Sequence, residues 1–144
     1  AACKLPKDIS ITIILGETAP HLAQVKALAR NIPFKTNVKK GVSNMAEIMS
    51  HADIAIGAAG STTWERCCLG VPTILISLAE NQTTILEVLT GKGMCESISL
   101  KQLPVLSKKI NHLAGNLSYF IEKCSLVTNG NGADLVVKGL YANT

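Results

Sequence analysis

Five short apolar runs set between stretches of helical periodicity constrain this chain more than any other feature. Ile9 to Leu15 is a β-branched run closed by Gly16, and Phe34 to Val38, Asp53 to Gly57, Pro72 to Ser77 and Cys95 to Ile98 follow it. Runs of this length, rich in Ile, Val and Thr, read as buried strands. Between them Leu22, Val25, Leu28 and Ala29 mark one face of a helix over Pro20 to Asn31, and Met45, Ile48 and Met49 mark one over Asn44 to His51, with Asn44 as its cap. Thr62 to Leu69 reads as a helix ended by Gly70, and Asn81 to Leu89 as one that stops near Gly91 and Gly93. From Leu100 to Tyr141 the pattern is helical, broken at Gly115-Asn116 and at Asn129-Gly130. Consecutive parallel strands need a crossover helix, so the alternation predicts an α/β fold, an open parallel sheet wrapped on both faces.

A chain of 144 residues is the size of one ordinary domain. Only 3% of its residues are aromatic against 47% hydrophobic, so the core must be aliphatic, which suits buried parallel strands. The net charge of +4 is spread out, and its close basic pairs, Lys39-Lys40 and Lys108-Lys109, have no interleaved aromatics. That excludes a nucleic-acid stripe and leaves mild basicity compatible with a phosphorylated small molecule. The five cysteines are odd in number, and Cys67-Cys68 has no metal spacing, so free buried thiols in a reducing compartment are expected. His21, His51 and His112 stand far apart with no carboxylate or cysteine at ligand spacing, and neither a metal nor a cofactor is expected. No apolar run approaches the length of a membrane span, and a cytoplasmic location with no membrane partner is expected. The opening residues from Ala1 read as the end of something longer, and an exposed sheet edge would invite pairing with a second copy as a homo-oligomer.

In open α/β sheets ligands bind at the carboxyl ends of the strands. That rule places Gly57-Ala58-Ala59-Gly60-Ser61-Thr62 at such an end, where small residues let a phosphate approach the main chain and backbone N–H groups point outward. The hydroxyls of Ser61, Thr62 and Thr63 add donors. The stretch is neither a Walker loop nor a dinucleotide fingerprint, and a tight turn capped by Ser or Thr explains it equally well. Glu65, in the first helical turn, reads either as an acceptor for vicinal ribose hydroxyls or as the capping-box partner of Thr62. Gly16 with Glu17-Thr18 marks the rim after the first strand; Asn81 and Gln82 mark the rim after the fourth, as ligand contacts or as helix caps. Trp64 and Met45 read as packing residues. Ser61 has no GxSxG elbow around it and is no esterase nucleophile.

The segment "NMAEIMSHADIAIGAAGSTTWERCCLGVPTILISLAENQ", Asn44 to Gln82, resembles the nucleotide-binding C-terminal half of the bacterial UDP-sugar hydrolases of pseudaminic acid biosynthesis. These are relatives of the glycosyltransferase that makes lipid II, with two Rossmann-like domains in the GT-B arrangement. "NGNGADLVVKGL", Asn129 to Leu140, resembles the closing helix of that family. The resemblance implies one Rossmann-like UDP-sugar-binding domain over residues 8–144, the C-terminal half of a GT-B fold without its first strand. It further implies that Gly60, Ser61 and Thr62 hold the diphosphate, that Glu65 takes the ribose hydroxyls, and that main-chain groups near Val42 and Ser43 read the uracil edge. Asn81 and Gln82 would face the sugar or phosphate, with Asn81 positioning the sugar.

In that family the first domain supplies a glycine-rich loop and a histidine that activates water, and the C-terminal half opens with a "GGSD"-like loop. Neither has a match here, and His21 does not take the histidine's place. The expectation is therefore a fragment or split half that binds UDP or a UDP-sugar, has the missing N-terminal domain as partner, and turns over nothing alone, because the base lies elsewhere. The full protein is expected to release 2,4-diacetamido-2,4,6-trideoxy-L-altrose from its UDP derivative by water attack at the anomeric carbon. The alternatives are the nucleotide-binding half of a GT-B glycosyltransferase and a non-catalytic binding or assembly module.

Overall fold

The computed structural model describes residues 8–78 and 82–142. They fall into two compact units, one reaching Met45 and the other starting at Ala46.

In the first unit, β1 (Ser10–Leu15) and β2 (Lys35–Lys40) pair in parallel from Ser10↔Lys35 to Leu15↔Lys40, with α1 (Leu22–Ala29) as the crossover between them. Burial alternates from Lys35 to Val38, and pairing with Ile14 and Leu15 carries the strand on through the exposed Lys39 and Lys40, two residues beyond the apolar run that announces it. On α1, Ala29 is buried and Leu28 is 66% exposed, which narrows the expected apolar face. The turn after β2 requires a glycine. Gly41 has φ +60 and donates its N–H to the Leu15 carbonyl at 3.0 Å, and a Cβ there would collide with the Glu17 carboxylate.

In the second unit, β3 (Ala55–Ala58), β4 (Thr73–Ser77) and β5 (Glu96–Ser99) form a parallel sheet in the order β3-β4-β5. The parallel α/β class is as expected. Among the described residues, however, the five strands divide into two hydrogen-bonded sheets, two strands and three. The alternation of runs identifies strands and their direction, but the partner of each strand is a long-range matter that no local pattern encodes.

The helices of this unit are α2 (Met45–Ser50), which enters it at Ala46, α3 (Thr62–Cys68), α4 (Thr83–Gly91), α5 (Leu106–Gly115), α6 (Leu117–Ser125) and α7 (Gly132–Tyr141), with a 3-10 segment over Leu100–Val105. Three layers result, because successive residues of β4 point to opposite faces. Leu75 packs with Leu86 and Leu89 of α4, and Ile74 packs with Ile98, Leu113 of α5 and Phe120 of α6. Ile74, Leu75 and Leu113 are fully buried, each contributing about 1.5 to 3 kcal/mol of transfer free energy.

Glycines end α3 and α4 as their spacing predicts. Gly70 (φ +66) donates to Cys67 O and Val71 to Arg66 O, both at 2.9 Å; Gly93 (φ +66) donates to Thr90 O and Met94 to Leu89 O, also at 2.9 Å. Each pair of bonds is a Schellman closure, which satisfies the last carbonyls and turns the chain into the next strand. Cys67, Cys95 and Cys124 are buried free thiols, whereas Cys68 is exposed. Trp64 is 42% exposed and so is not the core residue its type suggests. No helix among the described residues is long and apolar enough to cross a membrane.

Candidate functional site

The end of β3 and the loop to α3 carry the small-residue run, and the structure separates its members by what each one meets. Gly57 lies against a side chain: a Cβ there would sit 2.4 Å from Nη1 of Arg66. Ala59 is 1% exposed and belongs to the core with Leu75 and Leu89. Gly60 differs from both. Nothing lies within 4 Å of where its Cβ would be, and its φ is outside the left-handed region, so neither packing nor backbone geometry demands glycine there.

Arg66 organises this loop, a role absent from the sequence expectations. It is 5% exposed. Its Nε donates to Thr62 O at 3.2 Å, and its Nη2 donates to Ala58 O at 2.9 Å and to Thr63 Oγ1 at 3.2 Å. One guanidinium thus ties the end of the strand to the start of the helix. Burial pulls its pKa below the ordinary arginine value, with the neighbouring Cys67 and Glu65 acting in the opposite direction. Among the described residues no carboxylate forms an ion pair with it. The available signal was a glycine inside a strand, which marks close approach by another group.

The capped-turn explanation does not fit the observed geometry. Ser61 precedes the helix with φ −55 and ψ −35, already helical, and makes no side-chain cap bond. A capping serine needs an extended backbone to reach back to the following N–H groups. Thr63 N–H instead bonds Gly60 O and Trp64 N–H bonds Ser61 O, each at 3.0 Å, a tight opening turn that leaves the Ser61 hydroxyl uncommitted. Thr62 is the first helical residue rather than the cap, so it makes no capping box with Glu65. Glu65 is exposed and makes no hydrogen bond or ion pair with the described residues.

One expected contact is redirected. Thr63 is 1% exposed, its N–H is bonded to Gly60 and its hydroxyl accepts from Arg66, so it shapes the loop from within and does not face a ligand. At the next rim, Gln82 Oε1 accepts the Leu78 N–H at 3.1 Å, holding the end of β4. Asn81 lies outside the described residues. In the first unit, Gly16 and Val42 border one cavity of about 430 Å³ together with Glu17 and Gly41, and Ser43 is the exposed residue that follows Val42.

A second cavity, about 490 Å³, opens beside Glu96 at the start of β5, the opposite end of the strands from the loop. Glu96 bonds His112 Nδ1 at 2.7 Å and Lys109 Nζ. His112 therefore does have a carboxylate partner, 16 residues away and invisible to local spacing. The cluster is internally paired. His21 and His51 are exposed, and His51 Nδ1 lies 2.7 Å from Glu47 O.

A parallel three-layer unit with a glycine-bearing loop at a strand's carboxyl end is a Rossmann-like arrangement, and the solved structures it superposes on make it the C-terminal half of a GT-B fold. MurG of Acinetobacter baumannii superposes with a TM-score of 0.77 at 22% identity, covering 94% of this chain and 41% of that one. The glycosyltransferase SsfS6 of Streptomyces sp. SF2575, solved with thymidine diphosphate, gives 0.53 at 17% identity over 85% of this chain and 39% of that one. Residues 2–127 match the glycosyltransferase family 28 C-terminal domain, and the chain belongs to that family. It is also 29% identical over 134 residues to the spore coat polysaccharide biosynthesis protein SpsG of Bacillus subtilis (strain 168), covering 90% of this chain and 39% of SpsG. The chain thus spans about two-fifths of the length of SpsG.

Proposed function

We propose that this chain is the UDP-binding half of a UDP-sugar hydrolase, residues 8–144 acting as its nucleotide-sugar domain. The observation that carries the reading is Gly60, a glycine that the protein's own packing and backbone do not require, at the carboxyl end of a strand. A phosphate approaching the main chain supplies the missing reason. Gly60, Ser61 and Thr62 hold the diphosphate, and the exposed carboxylate of Glu65 accepts from the ribose hydroxyls. In the other unit, Gly16, Val42 and Ser43 are assigned to the nucleoside on the resemblance alone, as are Asn81 and Gln82 to the sugar or phosphate. Membership of family 28 and the thymidine diphosphate in SsfS6 support a nucleoside diphosphate as the ligand class.

In the proposed reaction water attacks the anomeric carbon, a C–O bond forms, the bond from that carbon to the β-phosphate oxygen breaks, and UDP leaves. The water's proton passes to a base outside this chain, whose own residues bind and orient. The proposed product is 2,4-diacetamido-2,4,6-trideoxy-L-altrose, in a cytoplasmic pathway. A glycosyltransferase is the second reading, favoured by the family's own description.

Titrating UDP into the chain, with amide shifts read by NMR, tests the binding role. Saturable shifts at Gly60 to Glu65, weakened about tenfold by Glu65→Ala, are expected, since a hydrogen bond to a charged group contributes about 1.5 to 3 kcal/mol. Shifts that never saturate would favour a non-catalytic module. Incubating the full-length protein with UDP-sugar and no acceptor separates hydrolase from transferase, because a transferase would release almost no free sugar.

A further inference from the structure

A guanidinium that is 5% exposed, makes three hydrogen bonds to protein oxygens and has no ion-paired carboxylate among the described residues needs an explanation. A buried charge is costly unless paired, and neutral oxygens compensate it only in part. Holding a turn together does not require a charge; apolar side chains do that at lower cost. The position of the charge is specific. Two of its bonds go to the main chain on either side of the loop, Ala58 O before it and Thr62 O after it, and the third goes to Thr63 Oγ1. Gly57 is a glycine because the guanidinium lies over it, so the chain gives up a side chain in a strand to admit this group.

We propose that Arg66 is the positioning residue of the diphosphate loop and its fixed positive charge: it sets the path of Ala59-Gly60-Ser61 from beneath, and its charge, which no ion pair among the described residues neutralises, is completed by the ligand's phosphates. This rests on the nucleoside diphosphate reading given above. Arg66 does not touch the ligand. It acts through the loop's main chain, and through a field that is weakly screened where water is excluded. The ligand's charge therefore matters more than its shape: UDP benefits from Arg66, while uridine, which carries base and ribose without phosphates, does not.

The test compares the full chain with Arg66→Gln and Arg66→Lys, titrating UDP and uridine separately by NMR and following amide hydrogen exchange from Ala59 to Thr62. Expected for Arg66→Gln is a loss of UDP affinity of tenfold or more with uridine affinity within twofold of the parent. Arg66→Lys restores UDP affinity in part, because the charge returns without the planar fork, and its loop amides exchange at least fivefold faster. Equal losses for UDP and uridine would reduce Arg66 to a structural staple and overturn the electrostatic role. Unchanged UDP affinity in both variants would overturn the proposal outright. Should Arg66→Gln not fold, Arg66→Lys carries both readouts. A parent chain that does not bind UDP at all overturns the nucleotide reading and the charge role together, whereas the exchange rates still decide whether Arg66 positions the loop.

Discussion

Replacing Gly57 by alanine should be one of the most damaging single-methyl changes available in this chain. The added Cβ would lie 2.4 Å from Arg66 Nη1, 3.4 Å from Cζ and 3.6 Å from Nη2. Relief to ordinary contact requires the guanidinium to withdraw by about 1 Å. An exposed arginine would swing aside at little cost, but this one is 5% exposed. The same movement stretches Nη2 to Ala58 O, now 2.9 Å, and Nη2 to Thr63 Oγ1, now 3.2 Å, beyond hydrogen-bonding range. Bonds from a charged donor contribute about 1.5 to 3 kcal/mol each, and leaving the donor buried and unmet costs a similar amount. Partial relaxation, together with the roughly 0.4 to 1 kcal/mol that alanine gains over glycine through the unfolded chain, leaves a net loss of about 2 to 3 kcal/mol. Urea unfolding followed by circular dichroism measures it, and a melting temperature lower by about 6 to 10 °C should accompany it. The control is a double-mutant cycle with Arg66→Met. With the guanidinium gone, Gly57→Ala should cost under about 0.5 kcal/mol. A Gly57→Ala protein as stable as the parent, or one equally destabilised in both backgrounds, refutes the close-approach argument.

Three further outcomes follow from neighbouring features. Gly60→Val should leave stability within about 0.5 kcal/mol of the parent, since nothing lies within 4 Å of its Cβ, yet weaken UDP binding at least tenfold in calorimetry. Leu113→Ala, which empties a fully buried position between Ile74 and Phe120, should cost about 3 to 4 kcal/mol by urea unfolding. Burial pushes the Cys95 thiol from 9.0 up to about 12, aided by Cys67 and Glu96. The folded chain therefore keeps a proton that the unfolded chain releases, and stability present below pH 9 is lost as pH climbs from 9 toward 12. Cys95→Ala should make the fall in unfolding free energy shallower by about 1.4 kcal/mol per pH unit across that window, and equal slopes in parent and variant would disprove it.

What the sequence disclosed follows the range of the interactions concerned. All five strands and the helices of the second half are visible as local periodicity, and the ends of α3 and α4 are visible because only glycine takes the positive φ of Gly70 and Gly93. Gly60 and Glu65 stood out because a loop at a strand's carboxyl end is a local pattern. Three adjacent hydroxyls look alike in sequence, and only the helical turn decides that the one of Thr63 points inward. Arg66 is hidden for a related reason: an arginine after a glutamate on a short helix looks like a solvated pair, and its burial depends on Gly57, nine positions earlier in another element. The Glu96–His112 contact and the division into two sheets are likewise settled by tertiary pairing.

The central place of β4 also sets how the second unit can form. Ala55 pairs with Thr73 and Ile74 with Glu96, separations of 18 and 22 residues, so each edge of β4 is reached only after a crossover of similar length has closed. The two closures cost nearly the same chain entropy, and neither ladder has a head start. The strand that ends at the Ser77 rim, shared by both ladders, is therefore the expected folding nucleus. Truncating Ile74 should accordingly slow refolding in stopped-flow experiments, while truncating Leu86 on α4 should mainly hasten unfolding.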